Sequence, residues 1–156
     1  MKYLSLNLFV FVFFIFDRLL KYYFFKNPAE IFSGGFLFGL NFRFEKNFGI
    51  AFGFSVNRIL LIFLTVFLIL ILFSFLIKAY QRKDSWEILG FSFIVFGAIS
   101  NLIDRLRFGF VIDYIDLPIF TVFNIADCLI SAGVVVFLVS IGIHSTAGQI
   151  KNIDIK

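Results

Sequence analysis

Nineteen consecutive residues, Ile59 to Ile77, carry no charge and only two weakly polar side chains, Thr65 and Ser74, between Arg58 and Lys78. A hydrocarbon core about 30 Å thick takes roughly 20 helical residues to cross, and a chain inside it must close its own backbone hydrogen bonds. This run therefore predicts a membrane-spanning helix. Three more runs have comparable reach. Ile88 to Ile103 follows the interfacial aromatic Trp86 and stays apolar until Asn101 and Asp104, while Ile119 to Ile143 carries Asn124, Asp127 and Ser131. The first run, Leu4 to Phe16, is too short alone but reaches spanning length if it continues through Asp17, Arg18 and Lys21 to Phe25. Read as a secretory leader, it lacks a small-residue cleavage pattern, so a retained span is expected.

Composition agrees with lipid as solvent. Of 156 residues, 61% are hydrophobic, 15% are charged and 27 are Phe, more apolar bulk than a water-soluble fold of this length can hide. The expected architecture is an all-α integral membrane protein, a single polytopic domain over residues 1–156 with spans near 4–25, 59–77, 88–104 and 121–143. Four spans put both termini on one side. Lys and Arg divide six against six between the two sides, so only the dense Lys78 to Lys83 turn leans toward the cytoplasm. Between the first two spans, Leu40 to Glu45 alternates apolar and polar residues with a strand period, predicting a small β-sheet on the membrane surface within about 33–56. Gly34, Gly35, Gly39, Gly49 and Gly53 fall in the same region and permit bulges and close backbone approach. The net charge of +4 comes with no basic block, which sets nucleic acid aside.

Ionisable groups inside spans are costly and mark candidate sites. Asp17 has Lys21 four residues on, the favourable orientation for a helical ion pair, so a pair that only eases insertion is an equal reading. Asp104 adjoins Arg105 and lies near Arg107, which suits a compensated helix end. Asp113 and Asp127 differ: no Lys or Arg lies within five residues of the first or nineteen of the second. Pro118 breaks any helix between them, so Asp113 belongs to a turn or strand end and Asp127 to the first turns of the fourth helix. Two carboxylates brought together at low dielectric cannot both ionise. One keeps a proton, and the pair becomes an acid and a base around one water. Asp116, next to loop residues, reads as a capping or interface carboxylate. Asn101 precedes Asp104 by three residues and Asn124 precedes Asp127 by three, placing an amide beside each carboxylate on one helix face.

Other chemistries lack their parts. The lone His144 and lone Cys128 are sixteen residues apart, no H-E-x-x-H is present and no Ser sits in a G-x-S-x-G context, so neither a metal site nor a serine or metal-dependent hydrolase is expected. Cys128, with no His near it, reads as a small buried helix residue.

Four segments in order carry a family resemblance: D-R-L-L-K at Asp17 to Lys21, N-F-G-I-A-F at Asn47 to Phe52, N-L-I-D-R-L-R-F-G-F-V-I-D at Asn101 to Asp113, and F-N-I-A-D at Phe123 to Asp127. Together they resemble the lipoprotein signal peptidases (signal peptidase II), bacterial intramembrane aspartic proteases with four helices. The resemblance implies catalytic Asp113 and Asp127, with Asn47, Asn101, Arg105 and Asn124 orienting substrate and dyad and Asp104, Asp17 and Lys21 supporting them. It implies no cofactor, and cytoplasmic termini in the bacterial inner membrane with the sheet and both aspartates toward the outer face. The implied substrate is a prolipoprotein with a diacylglyceryl cysteine, cut just before that cysteine by an enzyme whose apolar surface meets membrane lipid; separately, a monomer is expected. Arg18 departs from the pattern, since the family usually has Gln there. The competing reading is a small proton-coupled transporter or channel, which would set acids at successive depths. A scaffold for partner helices would need a G-x-x-x-G seam, and Gly90, Gly97, Gly133 and Gly142 do not form one.

Overall fold

The computed structural model describes residues 2–33, 39–49, 57–117 and 121–153. Four helices cross in sequence: α1 (Lys2–Lys26), α2 (Arg58–Arg82), α3 (Ser85–Phe108) and α4 (Ile125–Ile153). Each contains a stretch long and apolar enough to span a membrane. Three strands, β1 (Ile31–Ser33), β2 (Asn41–Asn47) and β3 (Val111–Asp116), form one antiparallel sheet in the order β1-β2-β3. The expected strand at Leu40 to Glu45 is β2. Residues 34–38 and 50–56 of the expected β region, with Gly34, Gly35 and Gly53, lie outside the described residues, as do Pro118 and Ile119.

The sheet differs from expectation in one respect: its third strand comes from between α3 and α4. The first four residues of β3 are all buried, so it lacks the alternation that marks a half-exposed strand. Three steps along β2, from Phe42 to Glu45, match two along β3, from Ile115 to Asp113. This extra residue is a β-bulge, which switches the face presented by the rest of β2 and brings Asn47 to the side of Asp113.

Helix boundaries follow local chemistry. α2 opens on Asn57, whose side chain accepts from the Ile59 and Leu60 amides, and α3 opens on Asp84, which accepts from Trp86 and Glu87. α3 runs past the expected 104 to Phe108 and stops at Gly109, which takes φ 88°, a left-handed conformation cheap only for glycine. α4 starts later than the expected 121, at Ile125, because residues before Asn124 are held extended: Phe123 bridges to Ile115 of β3.

α3 is the central helix, buried along most of its span, whereas α1, α2 and α4 turn Leu, Ile, Val and Phe outward. Those exposed side chains, Ile59, Phe63 and Leu70 among them, are the lipid-facing surface. α3 packs most extensively on α4, and glycine allows it. A Cβ on Gly97 would lie 2.5 Å from the Ala126 carbonyl oxygen, and one on Gly133 would lie 2.6 Å from the Gly90 carbonyl oxygen. Gly90 and Gly97, seven residues apart on one face of α3, thus make an internal seam with Gly133 that a search for G-x-x-x-G passes over. Aromatic packing closes the sheet end, where the Phe24 and Tyr114 rings stack at 5.4 Å between centroids.

Gly97 touches the residue before Asp127, so its substitution tests both packing and site. Gly97→Val must force α3 and α4 apart against backbone, and is expected to lower stability by about 1–3 kcal/mol. Thermal unfolding in detergent measures this; an unchanged midpoint would show that the two helices are not in close contact there.

Candidate active site

The site forms where α4 begins. The first N–H groups of a helix have no partner within it, and here each of the first three meets an acceptor from a different element. The Ile125 amide donates to the Tyr114 hydroxyl (3.2 Å), the Ala126 amide to Asp17 Oδ1 (3.2 Å) and the Asp127 amide to Asn124 Oδ1 (2.9 Å). The Asn124 amide in turn donates to Asp127 Oδ2 (3.2 Å), a reciprocal capping arrangement. Asp127 thus serves the helix end and keeps its Oδ1 for the site.

Asn124 also joins the two candidate acids. Its side-chain Nδ2 donates to Asp113 Oδ1 at 2.5 Å and lies 3.3 Å from Asn101 Oδ1. Asn101 Nδ2 donates to Asp127 Oδ1 (2.8 Å), and Asn47 Nδ2 donates to Asp113 Oδ2 (2.9 Å). Three amides from β2, α3 and the α4 cap therefore hold carboxylates from β3 and α4 in one network. Asp113 is buried and Asp127 is partly exposed. Burial first, then the charge of Asp127, pushes the Asp113 carboxyl up to about 7, against the bonds from Asn47 and Asn124 that favour its ionised form. Asp113 lines a cleft of about 530 Å³ bounded by β2 residues such as Arg43, Lys46 and Asn47, and by Asp116 and Thr121.

Behind this network lies an ionic one. Lys21, fully buried on α1, reaches Asp104 Oδ2 (2.8 Å) and Asp17 Oδ2 (3.6 Å) and donates to Asn101 Oδ1 (2.7 Å). Asp17 also accepts from the hydroxyls of Tyr114 (2.8 Å) and Ser100 (2.5 Å). Burial and the Asp17 charge push the Tyr114 hydroxyl well above its ordinary value, so it remains a donor. Asp104 accepts from the Ile112 amide (3.2 Å), fixing the start of β3. Its direct ion-pair partners are Lys21 and Arg18, whose Nη1 lies 2.6 Å from Oδ1, while the adjacent Arg105 acts on it only through its charge. Arg105 itself reaches the Gly49 carbonyl (3.4 Å) beside Asn47, within electrostatic reach of Asp127, Asp113 and Asp104. No described buried side-chain polar atom is left without a partner.

All nine sequence-selected residues thus fall at one end of the bundle. Asp116 stands apart, paired with Arg43 Nε at 2.7 Å and partly exposed on the cleft rim. Tyr114 and Ser100 join the site without any signal in the sequence, since a strand Tyr and a helix Ser stand out only once Asp17 is known to face them. Two readings need correction. Cys128 is exposed, because one residue beyond Asp127 the helix turns toward lipid. His144 is not solitary: its Nε2 meets Asp84 Oδ2 at 2.8 Å, sixty residues away in sequence, and with Glu87 these form the group of metal-ligand type found among the described residues. That cluster sits at the opposite end, and Arg82 is already paired with Glu87.

Four candidate spans thus enclose a cluster of buried carboxylates at one end of the bundle. The fold is similar to two solved bacterial membrane enzyme structures obtained by the in meso method: one at 2.3 Å resolution (TM-score 0.79, 28% identity, 93% of this chain and 90% of that one) and one at 1.9 Å (TM-score 0.73, 30% identity, 89% and 91%). The family model for signal peptidase (SPase) II matches residues 9–143, and the chain belongs to that family of bacterial membrane peptidases. It is 41% identical over 111 residues to the lipoprotein signal peptidase of Buchnera aphidicola subsp. Schizaphis graminum, covering 65% of this chain and 70% of the relative. It is 46% identical over 101 residues to that of Bartonella henselae, covering 60% and 61%.

Asp113 supplies a stability test. With its carboxyl near 3.8 when unfolded and about 7 when folded, the native protein holds an extra proton between those values. Its contribution to stability is complete below the lower value and is lost as pH rises through the upper one. Asp113→Asn cannot ionise, so its unfolding midpoint is expected to vary less across that window, whatever its absolute value after one accepting oxygen is replaced by a donor. At about 1.4 kcal/mol per pKa unit the difference has a ceiling on the order of 4 kcal/mol. Parallel wild-type and variant curves would mean that Asp113 carries no such strain.

Proposed function

We propose that this chain is an aspartic endopeptidase of the bacterial inner membrane that removes the signal peptide from prolipoproteins. The substrate carries a diacylglyceryl group on a cysteine, and the bond before that cysteine is cut. Asp113 and Asp127 are the catalytic pair. The observation that carries this reading is the amide bridge: Asn124 donates to Asp113 while exchanging bonds with Asp127, at the border of a cleft large enough for a peptide segment. The family membership and the names of the relatives support the substrate class.

The pair shares one proton. Its ionised member takes a proton from a water as the oxygen adds to the scissile carbonyl, and its protonated member donates to the carbonyl oxygen. Collapse of the tetrahedral intermediate breaks the C–N bond, the proton gained from water passes to the leaving amine, and a hydroxyl proton of the intermediate returns to the acid that gave one, restoring the singly protonated pair. The chemistry uses no cofactor. Asn101 and Asn47 hold the outer carboxylate oxygens, and Lys21 holds Asn101, which keeps the acids from turning away between cycles. The lipid chains of the substrate lie along the outward apolar faces of the helices. Both termini are cytoplasmic and the sheet end faces outward, so the enzyme meets its substrate at the outer surface, acting as a monomer. A proton relay is less well supported: the buried carboxylates Asp17, Asp104 and Asp113 gather at one end with Asp127, and among the described residues none is buried in the other half of the bundle.

Detergent-purified protein is expected to cleave a diacylglyceryl-modified prolipoprotein, read by gel mobility. Asp113→Asn and Asp127→Asn each lose at least about 10²-fold in rate, while Asp116→Asn, which loses only its pairing with Arg43, stays active. Activity declines as pH rises through about 7, where the pair gives up its proton. A folded but inactive wild type would overturn the peptidase reading, and loss only in the Asp116 variant would move the chemistry to the wrong-side acid.

A further inference from the structure

The buried end of the bundle holds four carboxylates, Asp17, Asp104, Asp113 and Asp127, against three cations, Arg18, Lys21 and Arg105. With one shared proton that cluster is neutral, the only cheap state at low dielectric. Around it, Arg43 is paired with Glu45 and Asp116, Lys46 rests over the Phe110 ring on the cleft side, and two exposed cations lie at the rim: Arg107, which lines a small cavity with Arg18, and Arg58, which donates to the Arg105 carbonyl. Tyr114 stays a neutral donor.

Arg18 belongs to this set through Asp104. Its Nη1 lies 2.6 Å from Asp104 Oδ1 and donates to the Ser100 carbonyl at 3.1 Å, with the side chain one-fifth exposed. Asp104 therefore has two cations. Without Arg18, it would take the full charge of Lys21, which now also faces Asp17 and, through Asn101, Asp127.

We propose that Arg18 is a positioning residue that sets the pH range in which the catalytic pair works: by neutralising Asp104 it leaves the Lys21 charge available to the acids. This rests on the peptidase reading for its kinetic readout and on the network geometry for its thermodynamic one.

The test is the pH dependence of kcat/KM for cleavage of the lipid-modified prolipoprotein by wild type, Arg18→Gln and Arg18→Lys. Removing the cation makes the cluster one charge more negative, so the Arg18→Gln profile should move toward higher pH by about 1 pH unit, and Arg18→Lys should restore the wild-type position. The double variant Arg18→Gln with Asp104→Asn removes one charge of each sign, and its profile should return to the wild-type pH whatever its absolute rate. A uniform loss of rate at every pH, with no displacement, would make Arg18 merely structural and overturn the proposal. The pH at which thermal stability falls gives the same comparison without substrate, and should move upward in Arg18→Gln alone. An inactive wild type would sink the peptidase reading, while an unmoved stability inflection would sink the role of Arg18. Should Arg18→Gln fail to fold, the lysine and double variants decide: a shifted profile in either one contradicts the charge balance.

Discussion

A fully buried ammonium group, that of Lys21, is the constraint on which the rest of this structure depends. Removing a charge from water is tolerable only if opposite charge and hydrogen-bond acceptors replace the lost hydration. Lys21 finds them in Asp17 on its own helix and in Asp104 and Asn101 on α3. Each of those acceptors is shared. Asp17 holds the Ala126 amide and Tyr114, Asp104 holds the Ile112 amide, and Asn101 holds Asp127. One cation thereby fixes α1 to α3, the start of β3 and the first turn of α4.

The two acids are placed by secondary-structure termini, where backbone groups left over from helix and strand demand partners. Asp127 sits at the third position of α4, where its carboxylate answers the Asn124 amide. Asp113 sits in a strand buried on both faces, a short distance after a helix stopped by a left-handed glycine. The bulge in β2 then turns Asn47 to it. Site geometry of this kind needs little extra machinery, because the interactions that end one element and begin the next also orient the two carboxyl groups. The cost falls on Asp113, whose carboxyl is raised by its burial and by its neighbour's charge.

Lipid solvation explains the division of labour among the helices. α3 carries the polar residues of the site and is enclosed by the others, while α2 contributes almost nothing but an apolar wall. With no hydrophobic force to drive helices together inside a bilayer, close backbone contact at Gly97 and Gly133 and the polar network at one end supply the cohesion.

By itself the sequence determined the number of spans, the presence of surface strands and the two unpaired aspartates. Long apolar runs admit only helices in lipid, period-2 alternation admits only strands, and a carboxylate with no cation nearby in sequence stands out by simple counting. Capping at Asn124 was legible as an amide three residues before an acid. Tertiary structure alone decided the partners. Arg18 rather than Arg105 makes the direct ion pair with Asp104, β3 joins a sheet begun before α2, His144 meets Asp84, and Cys128 faces outward. The physical reason is the same for each: these contacts join residues on different elements, and which faces meet depends on helix rotation and close approach, set by glycines and buried charges that act only once the chain has folded.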